Sequence, residues 1–279
     1  MEPNEIKNLP FSSIMIEKDY SKLATDMKDT QIHNFYELYF LLSGQRRYFI
    51  GGNIYNVAPG NLIVVPKNEI HKTGALNSRG WDRYVLYFSE KSVQDLIRQI
   101  GQDEFQKFAQ IACFQFPPEA TKLLKDKFDR LYAEENRPDA YSYQIKKDLL
   151  YDIIITTLRF GSQKPCDIDD GADKIRLAAQ YISENYRSEI TLESAAAIAC
   201  MEKTYFSKRF KALTGLCFSA YLSDIRLIAA KRLLLSTDMN INEISEACGF
   251  SSGNYFGDVF AKATGMSPIK FRKSNRSIE

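Results

Sequence analysis

Ile241-Asn-Glu-Ile-Ser-Glu-Ala-Cys-Gly-Phe-Ser-Ser-Gly-Asn-Tyr-Phe-Gly-Asp-Val-Phe260 decides how the chain is read. Ile241, Ile244 and Ala247 share one face of a short helix. Gly249 stands where that helix must stop, as a residue able to take positive φ. Phe250 anchors the turn. Ser251 or Ser252 can cap a second helix whose buried face carries Tyr255 or Phe256, Val259 and Phe260. Two short helices across a Gly-containing turn predict a helix-turn-helix unit, whose second helix enters a DNA major groove. A helical hairpin from an enzyme core would have the same local pattern, so the rest of the chain must choose.

The choice comes from a copy. Tyr205-Phe-Ser-Lys-Arg-Phe-Lys-Ala-Leu-Thr-Gly215 aligns with Tyr255-Phe-Gly-Asp-Val-Phe-Ala-Lys-Ala-Thr-Gly265 at a constant offset of 50 residues, with Tyr, Phe, Phe, Thr and Gly identical. Thr191 opens the first helix of that upstream unit, and Phe206, Phe210 and Leu213 form the buried face of its second. An enzyme core has no use for two spaced helix-turn-helix units. Between them, Phe218 to Leu235 reads as one helix. At 1.5 Å per residue it spans about 27 Å, long enough to hold two recognition helices toward successive major grooves about 34 Å apart.

These residues resemble the AraC/XylS family of transcription regulators. The resemblance runs through Tyr221-Leu222, Arg226-Leu227, Leu233-Leu234, Glu243-Ile244, Gly249-Phe250, Tyr255-Phe256, Gly265-x-Ser267-Pro268 and Phe271-Arg272. It implies a regulator, usually an activator that contacts RNA polymerase, with an N-terminal domain that senses a small molecule or mediates dimerisation. By position, the base-reading residues are Lys203, Thr204, Ser207 and Lys208 in the first unit, and Asn254 and Asp258 in the second, where Gly253 and Gly257 leave the face bare. Lys donates to guanine, Asn pairs with adenine, and a carboxylate accepts from cytosine but repels phosphate. Asp258 departs from the family, which favours a basic residue there, so the second unit is expected to bind more weakly. Arg209, Lys211, Lys262, Arg272 and Lys273 are placed for phosphate. Arg226 is expected to form a structural salt bridge, with Asp224 or Glu246 as partner.

Upstream, Gly161 to Ala172 lacks apolar period and reads as a linker. Residues 173–279 then form the DNA-binding domain, with its units at about 190–215 and 240–265, and residues 1–160 a separate domain. Within the latter, Leu38–Leu42, Tyr48–Ile50, Ile54–Val57, Leu62–Val65 and Tyr84–Phe88 are short β-branched or aromatic runs separated by turn residues. They predict an antiparallel barrel over about 25–90. Helices follow over about 91–160, with Leu123, Leu124, Phe128 and Leu131 as one apolar stripe and Ile145, Leu149 and Ile153 as another. One of these helices is expected to make a homodimer contact.

This part resembles a cupin barrel of the kind that precedes AraC-type DNA-binding domains, through Gln31-x-His33-x3-Glu37-x6-Gly44 and Gly60-x5-Pro66-x-Asn68-x2-His71. The resemblance implies that His33, Glu37 and His71, which include both histidines of the chain, occupy metal-ligand positions. Gln31 stands where another His would be, and Asn68 where Gly usually falls. Two His and a carboxylate can form a facial triad, as a metal-dependent cupin enzyme would need. With one ligand lost, the expectation is instead a small-molecule pocket without a required metal or cofactor. The pocket is assigned to His33, Glu37, Tyr39, Arg46, His71, Trp81 and Tyr84, aromatic faces with a guanidinium suiting a sugar or organic acid.

The predicted fold class is therefore α+β in two domains: a cupin-like barrel with flanking helices, then an all-α double helix-turn-helix domain. Net charge is only +2, but from residue 172 onward 15 Lys and Arg face 11 Asp and Glu, a basic end suited to double-stranded DNA. Five scattered cysteines without C-x-x-C pairs argue for free thiols and against a zinc knuckle. Neither a signal peptide nor an apolar membrane span is legible, so a cytoplasmic, nucleoid-associated protein with no membrane partner is expected.

Overall fold

A computed structural model describes residues 14–23, 25, 27, 30–110, 112–165 and 170–276. The chain divides into two compact units, Met1–Ile168 and Asp169–Glu279.

The first unit holds strands β1 (Ile14–Leu23), β2 (Tyr36–Ser43), β3 (Arg46–Ile50), β4 (Asn53–Val57), β5 (Leu62–Val65), β6 (His71–Ala75), β7 (Arg79–Phe88), β8 (Ala112–Gln115) and β9 (Ser162–Lys164). They form a six-stranded antiparallel sheet, β1-β7-β2-β5-β8-β9, and a three-stranded one, β4-β3-β6. Helices α1 (Gln94–Ile100), α2 (Gln102–Ala109), α3 (Pro118–Asn136) and α4 (Ser142–Phe160) complete it.

The central strand β2 explains the layering. Successive side chains point to opposite faces, and both faces are covered. Leu38 and Phe40 join the helix side, where Phe40 stacks on Phe128 of α3 with centroids 4.9 Å apart. Tyr39 and Leu41 face the other way and pack with Tyr48, Ile50 and Val65. Glu37 shares their parity, so the pleat drives this carboxylate into the space between the sheets. The α3 stripe runs through Ala120, Leu124, Phe128 and Leu131, while Leu123, placed in it by sequence, is 49% exposed.

Strands β1, β6, β8 and β9 escaped the sequence reading. In β1 only Ile14 and Ile16 are buried before charged residues take over. Strand β9 falls inside the stretch read as linker. It is polar and pairs through its backbone with β8.

The second unit is helical: α5 (Asp170–Asn185), α6 (Leu192–Ile198), α7 (Lys203–Thr214), α8 (Phe218–Ser236), α9 (Ile241–Ala247), α10 (Gly253–Thr264) and α11 (Pro268–Arg276). Thr191 caps α6 in a reciprocal box with Ser194, and Asn240 caps α9 in one with Glu243. Thr191→Ala should cost about 1 kcal/mol of this unit's stability, read by chemical denaturation.

The repeated Thr-Gly pairs now have a physical cause. Thr214 Oγ1 donates to Phe210 O (2.8 Å) and accepts from Leu216 N (3.1 Å), and Thr264 does the same with Phe260 O (2.8 Å) and Met266 N (3.4 Å). Gly215 and Gly265 then close each helix in the left-handed region. Helix α8 serves both helix-turn-helix pairs. Tyr221 meets Phe210 edge-on at 5.2 Å, and Leu227, Ala230 and Leu234 pack with Ile244, Phe256 and Phe260.

Candidate effector cavity and DNA-reading face

Four polar side chains meet between the sheets of the first unit. Glu37 Oε2 lies 3.1 Å from His33 Nε2 and 3.3 Å from His71 Nε2, while the Tyr48 hydroxyl donates to Glu37 Oε1 at 2.8 Å. Both rings are also held from behind, His33 Nδ1 3.0 Å from Phe35 O and His71 Nδ1 2.9 Å from Glu69 O. The His33 ring stacks on Phe35 at 4.0 Å. Asn68 takes φ 62, the left-handed conformation that explains Gly as its usual occupant, and its N–H donates to His33 O at 2.6 Å. Burial opposes the charge on Glu37, but the two imidazoles outweigh it and hold the carboxyl well below the usual range. Burial pushes the Tyr48 hydroxyl well up, and the neighbouring carboxylate adds to this.

Beside this cluster, two guanidiniums lie near Trp81, with Arg83 4.7 Å and Arg46 5.0 Å from its ring. Arg46 donates to Thr25 O and to Thr73 Oγ1. Arg83 lies over Tyr39 at 5.1 Å and donates to Asp19 at 3.2 Å. A cavity of about 690 Å³ runs along β1, taking Glu37, Arg83 and Tyr87 from the inner face, Gln31, and Tyr132, Glu135 and Asn136 from the end of α3.

Of the seven residues assigned to the pocket, Glu37 lines this cavity. His33 and His71 touch Glu37. Tyr39, Arg46 and Trp81 are buried on the same face. Tyr84 is misplaced: it belongs to the helix-side core and donates to Asp129 of α3 at 2.6 Å. Strand parity carries the reason, since residues 81 and 84 of one strand face opposite ways. The same parity points to Arg83 and Tyr87, which the sequence reading overlooked. Tyr84→Phe should cost about 1 kcal/mol of stability and leave ligand-induced thermal shifts of the first unit unchanged.

In the second unit the two recognition helices present matching faces. Phe206 and Phe210 of α7, like Phe256 and Phe260 of α10, are buried. Lys203, Thr204 and Lys208 are exposed and Ser207 half-buried; Asn254 and Asp258 are exposed. Glu202 caps α7 by accepting from Tyr205 N (3.0 Å), and Ser252 caps α10 by accepting from Tyr255 N (3.2 Å). Lys203 pairs with Glu193 of α6, both ends exposed, which contributes little to stability. Tyr205 and Tyr255, 57% and 53% exposed, stand at equivalent places on these faces. The sequence reading left Tyr205 unassigned and gave Tyr255 or its neighbour to the core. Lys211, Lys262 and Lys273 are exposed and Arg209 half-buried.

Two arginines do not act as expected. Arg226 is structural, but through carbonyls: Nε donates to Tyr186 O (2.8 Å) and a terminal nitrogen to Ser188 O (2.9 Å). Arg272, assigned to phosphate, repeats this grip on the second unit, donating to Leu234 O (3.1 Å) and Met239 O (2.6 Å). Each guanidinium ties a helix behind a helix-turn-helix to the segment in front of it.

Family comparisons divide along the same line. A model described as an AraC-like ligand binding domain matches residues 15–145, and one described as a helix-turn-helix domain matches residues 195–274. The chain belongs to the AraC family of transcription regulators. Among curated AraC-type relatives, the HTH-type transcriptional activator RhaR of Pectobacterium carotovorum subsp. carotovorum (strain PC1) is 27% identical over 257 residues, 88% of this chain and 87% of its own. The uncharacterized HTH-type transcriptional regulator YijO of Escherichia coli (strain K12) is 38% identical over 97 residues, 35% of this chain and 34% of its own. Among solved structures, the C-terminal domain of AraT, a response regulator from Geobacillus stearothermophilus, is 37% identical, with 36% of this chain and 84% of that one covered at a TM-score of 0.35. ToxT from Vibrio cholerae is 14% identical, with 93% and 98% covered at a TM-score of 0.39. As an AraC-family member the chain is a DNA-binding transcription regulator with a ligand-binding domain. No single helix among the described residues is long and apolar enough to cross a membrane.

Proposed function

We propose that the chain is a transcriptional activator that reads double-stranded DNA with α7 and α10 and is controlled by a small polar effector in the cavity beside Glu37 and Arg83. The carrying observation is the duplicated pair of capped helices, each with two buried phenylalanines behind a polar face, joined by α8. Lys203, Thr204, Ser207 and Lys208 read bases in one half-site, and Asn254 and Asp258 in the other. Arg209, Lys211, Lys262 and Lys273 meet phosphate. Arg272 is withdrawn from that role by its two carbonyl partners.

A guanidinium, several carboxylates and tyrosine rings around one cavity suit a sugar or an organic acid. The protein acts by binding and not by catalysis, in the cytoplasm and on the nucleoid, and passes its signal to RNA polymerase. A homodimer through the first unit is part of this reading, with Tyr143, Ile145, Ile155 and Phe160 the large apolar side chains that α4 leaves exposed.

The test is a thermal-shift screen of sugars and organic acids on the full chain, followed by DNA titration with each hit. One chemical class should stabilise the first unit and change DNA affinity. Sound DNA binding with no stabilisation by any compound would instead make the first unit a dimerisation module. Lys211→Ala and Lys262→Ala should each lower affinity for every duplex alike and reduce the salt slope by about 1.

A further inference from the structure

The two helix-turn-helix pairs differ at one matched contact, at the head of the recognition helix. Counted from the capping residues Thr191 and Asn240, Glu193 and Asn242 hold the same place, the second residue of α6 and of α9. In the upstream pair Glu193 reaches the first residue of α7, forming an ion pair with Lys203. In the downstream pair Asn242 reaches the first residue of α10, which is Gly253. A Cβ at Gly253 would stand 2.2 Å from Asn242 Oδ1 and 3.3 Å from its Cγ. Asn242 therefore fills the space from which a side chain at residue 253 would start. Gly253 does not take positive φ, so its backbone does not require glycine; the neighbouring amide does.

What Asn242 offers there is a pair of donors. Its oxygen is the atom turned toward Gly253, the favourable way round against a Cα–H, which leaves Nδ2 on the far side. The residue is exposed, and among the described residues its side chain has no hydrogen-bond partner. The cap does not need that side chain either. Asn240 and Glu243 close the box, and Asn242 gives it only a backbone N–H. The first residues of a recognition helix are those that meet base edges. A side chain seated over Gly253 thus stands where the upstream pair has its Lys203.

We propose that Asn242 is a further specificity-determining residue of the downstream pair, its Nδ2 donating to guanine, whose O6 and N7 are both acceptors. With the oxygen held against Gly253, the two-way pairing that Asn makes with adenine falls to Asn254 and not to Asn242. The reading role that a glycine cannot fill passes to the preceding helix. This inference rests on the reading that α10 enters the major groove.

The experiment measures binding of the full chain to a duplex it selects from a random pool, and to copies carrying each base in turn across the downstream element. Asn254→Ala should erase the preference at one position, and Asn242→Ala the preference for guanine at a neighbouring one. Affinity for the selected duplex should fall about 5-fold or more in each. Thermal unfolding of Asn242→Ala should match the wild type. Gly253→Ala should also fold, because its Cβ meets only Asn242, at the movable end of that side chain. It should nevertheless lose the same guanine preference, and the double variant should be no worse than Asn242→Ala alone. A loss spread evenly over all duplexes would make Asn242 a phosphate contact and overturn the proposal, as would an unchanged guanine preference in Asn242→Ala. If Asn254→Ala still erases its own preference in that case, α10 remains a reader and only Asn242 is withdrawn. If neither variant changes any preference, the reading of α10 fails as well. Should Asn242→Ala not fold, Gly253→Ala decides it, and guanine preference retained there would refute the role.

Discussion

Gly249→Ala should destabilise the second unit by about 2–4 kcal/mol, whereas Gly265→Ala should cost about 1. Both glycines take nearly the same conformation, φ +79 and φ +76. They differ in what surrounds them. A Cβ at Gly249 would stand 2.7 Å from the carbonyl oxygens of both Tyr186 and Arg187, while one at Gly265 meets nothing within 4 Å. The first substitution therefore adds an overlap with backbone to the strain that the second has alone. Those carbonyls belong to the loop ahead of α6, and Arg226 grips its Tyr186 and Ser188 oxygens from the other side. The turn of the downstream helix-turn-helix is thus pressed onto the lead-in of the upstream one. The single tryptophan, Trp81, lies in the first unit. Denaturation followed by far-ultraviolet circular dichroism should shift while the tryptophan fluorescence transition stays fixed. Equal costs at the two glycines would show that the loop gives way freely.

The same loop marks where reading the sequence stops. The helix-turn-helix units were legible because everything that defines them is local: helical period, capping residues, left-handed glycines and a copy 50 residues away. Arg226 was recognised as structural, yet its partners were sought among carboxylates. Its acceptors are carbonyls 38 and 40 residues distant, and a carbonyl has no signature in the residue type. Arg272 was missed for the same reason. In the first unit, His33, Glu37 and His71 were legible as a motif, but that both rings meet one carboxylate oxygen is set by the folded strands. Arg83 and Tyr87 were within reach of strand parity once Trp81 was set facing inward. The hidden strands were not, since β1 buries only two of its side chains and β9 is a short polar strand that pairs with β8.

Lys208→Ala should weaken binding to the cognate duplex by about 1–3 kcal/mol, more than Asp258→Ala does. The two residues occupy equivalent places 50 apart, both exposed on the polar side of a recognition helix. A lysine there donates to guanine and is drawn to the phosphate field, whereas a carboxylate gains a contact only at cytosine and is repelled elsewhere. In the proposed reading Asn254 is then the other base-reading side chain of α10, between Gly253 and Gly257. The upstream unit should therefore carry most of the specificity and the downstream one act more as a clamp. Fluorescence anisotropy titrations at fixed salt check this, and a larger loss for Asp258→Ala would reverse the ranking.

Helices α7 and α10, joined by α8 and by the contacts that Arg226 and Gly249 each make with the 186–188 loop, are proposed to engage one face of a duplex together. Selection of bound duplexes from a random pool, using the full chain with and without cell extract, measures this directly. The account predicts two sequence elements with centres about 10 base pairs apart, the one read by α7 better defined. A single element, or two whose spacing varies freely among selected duplexes, would contradict it.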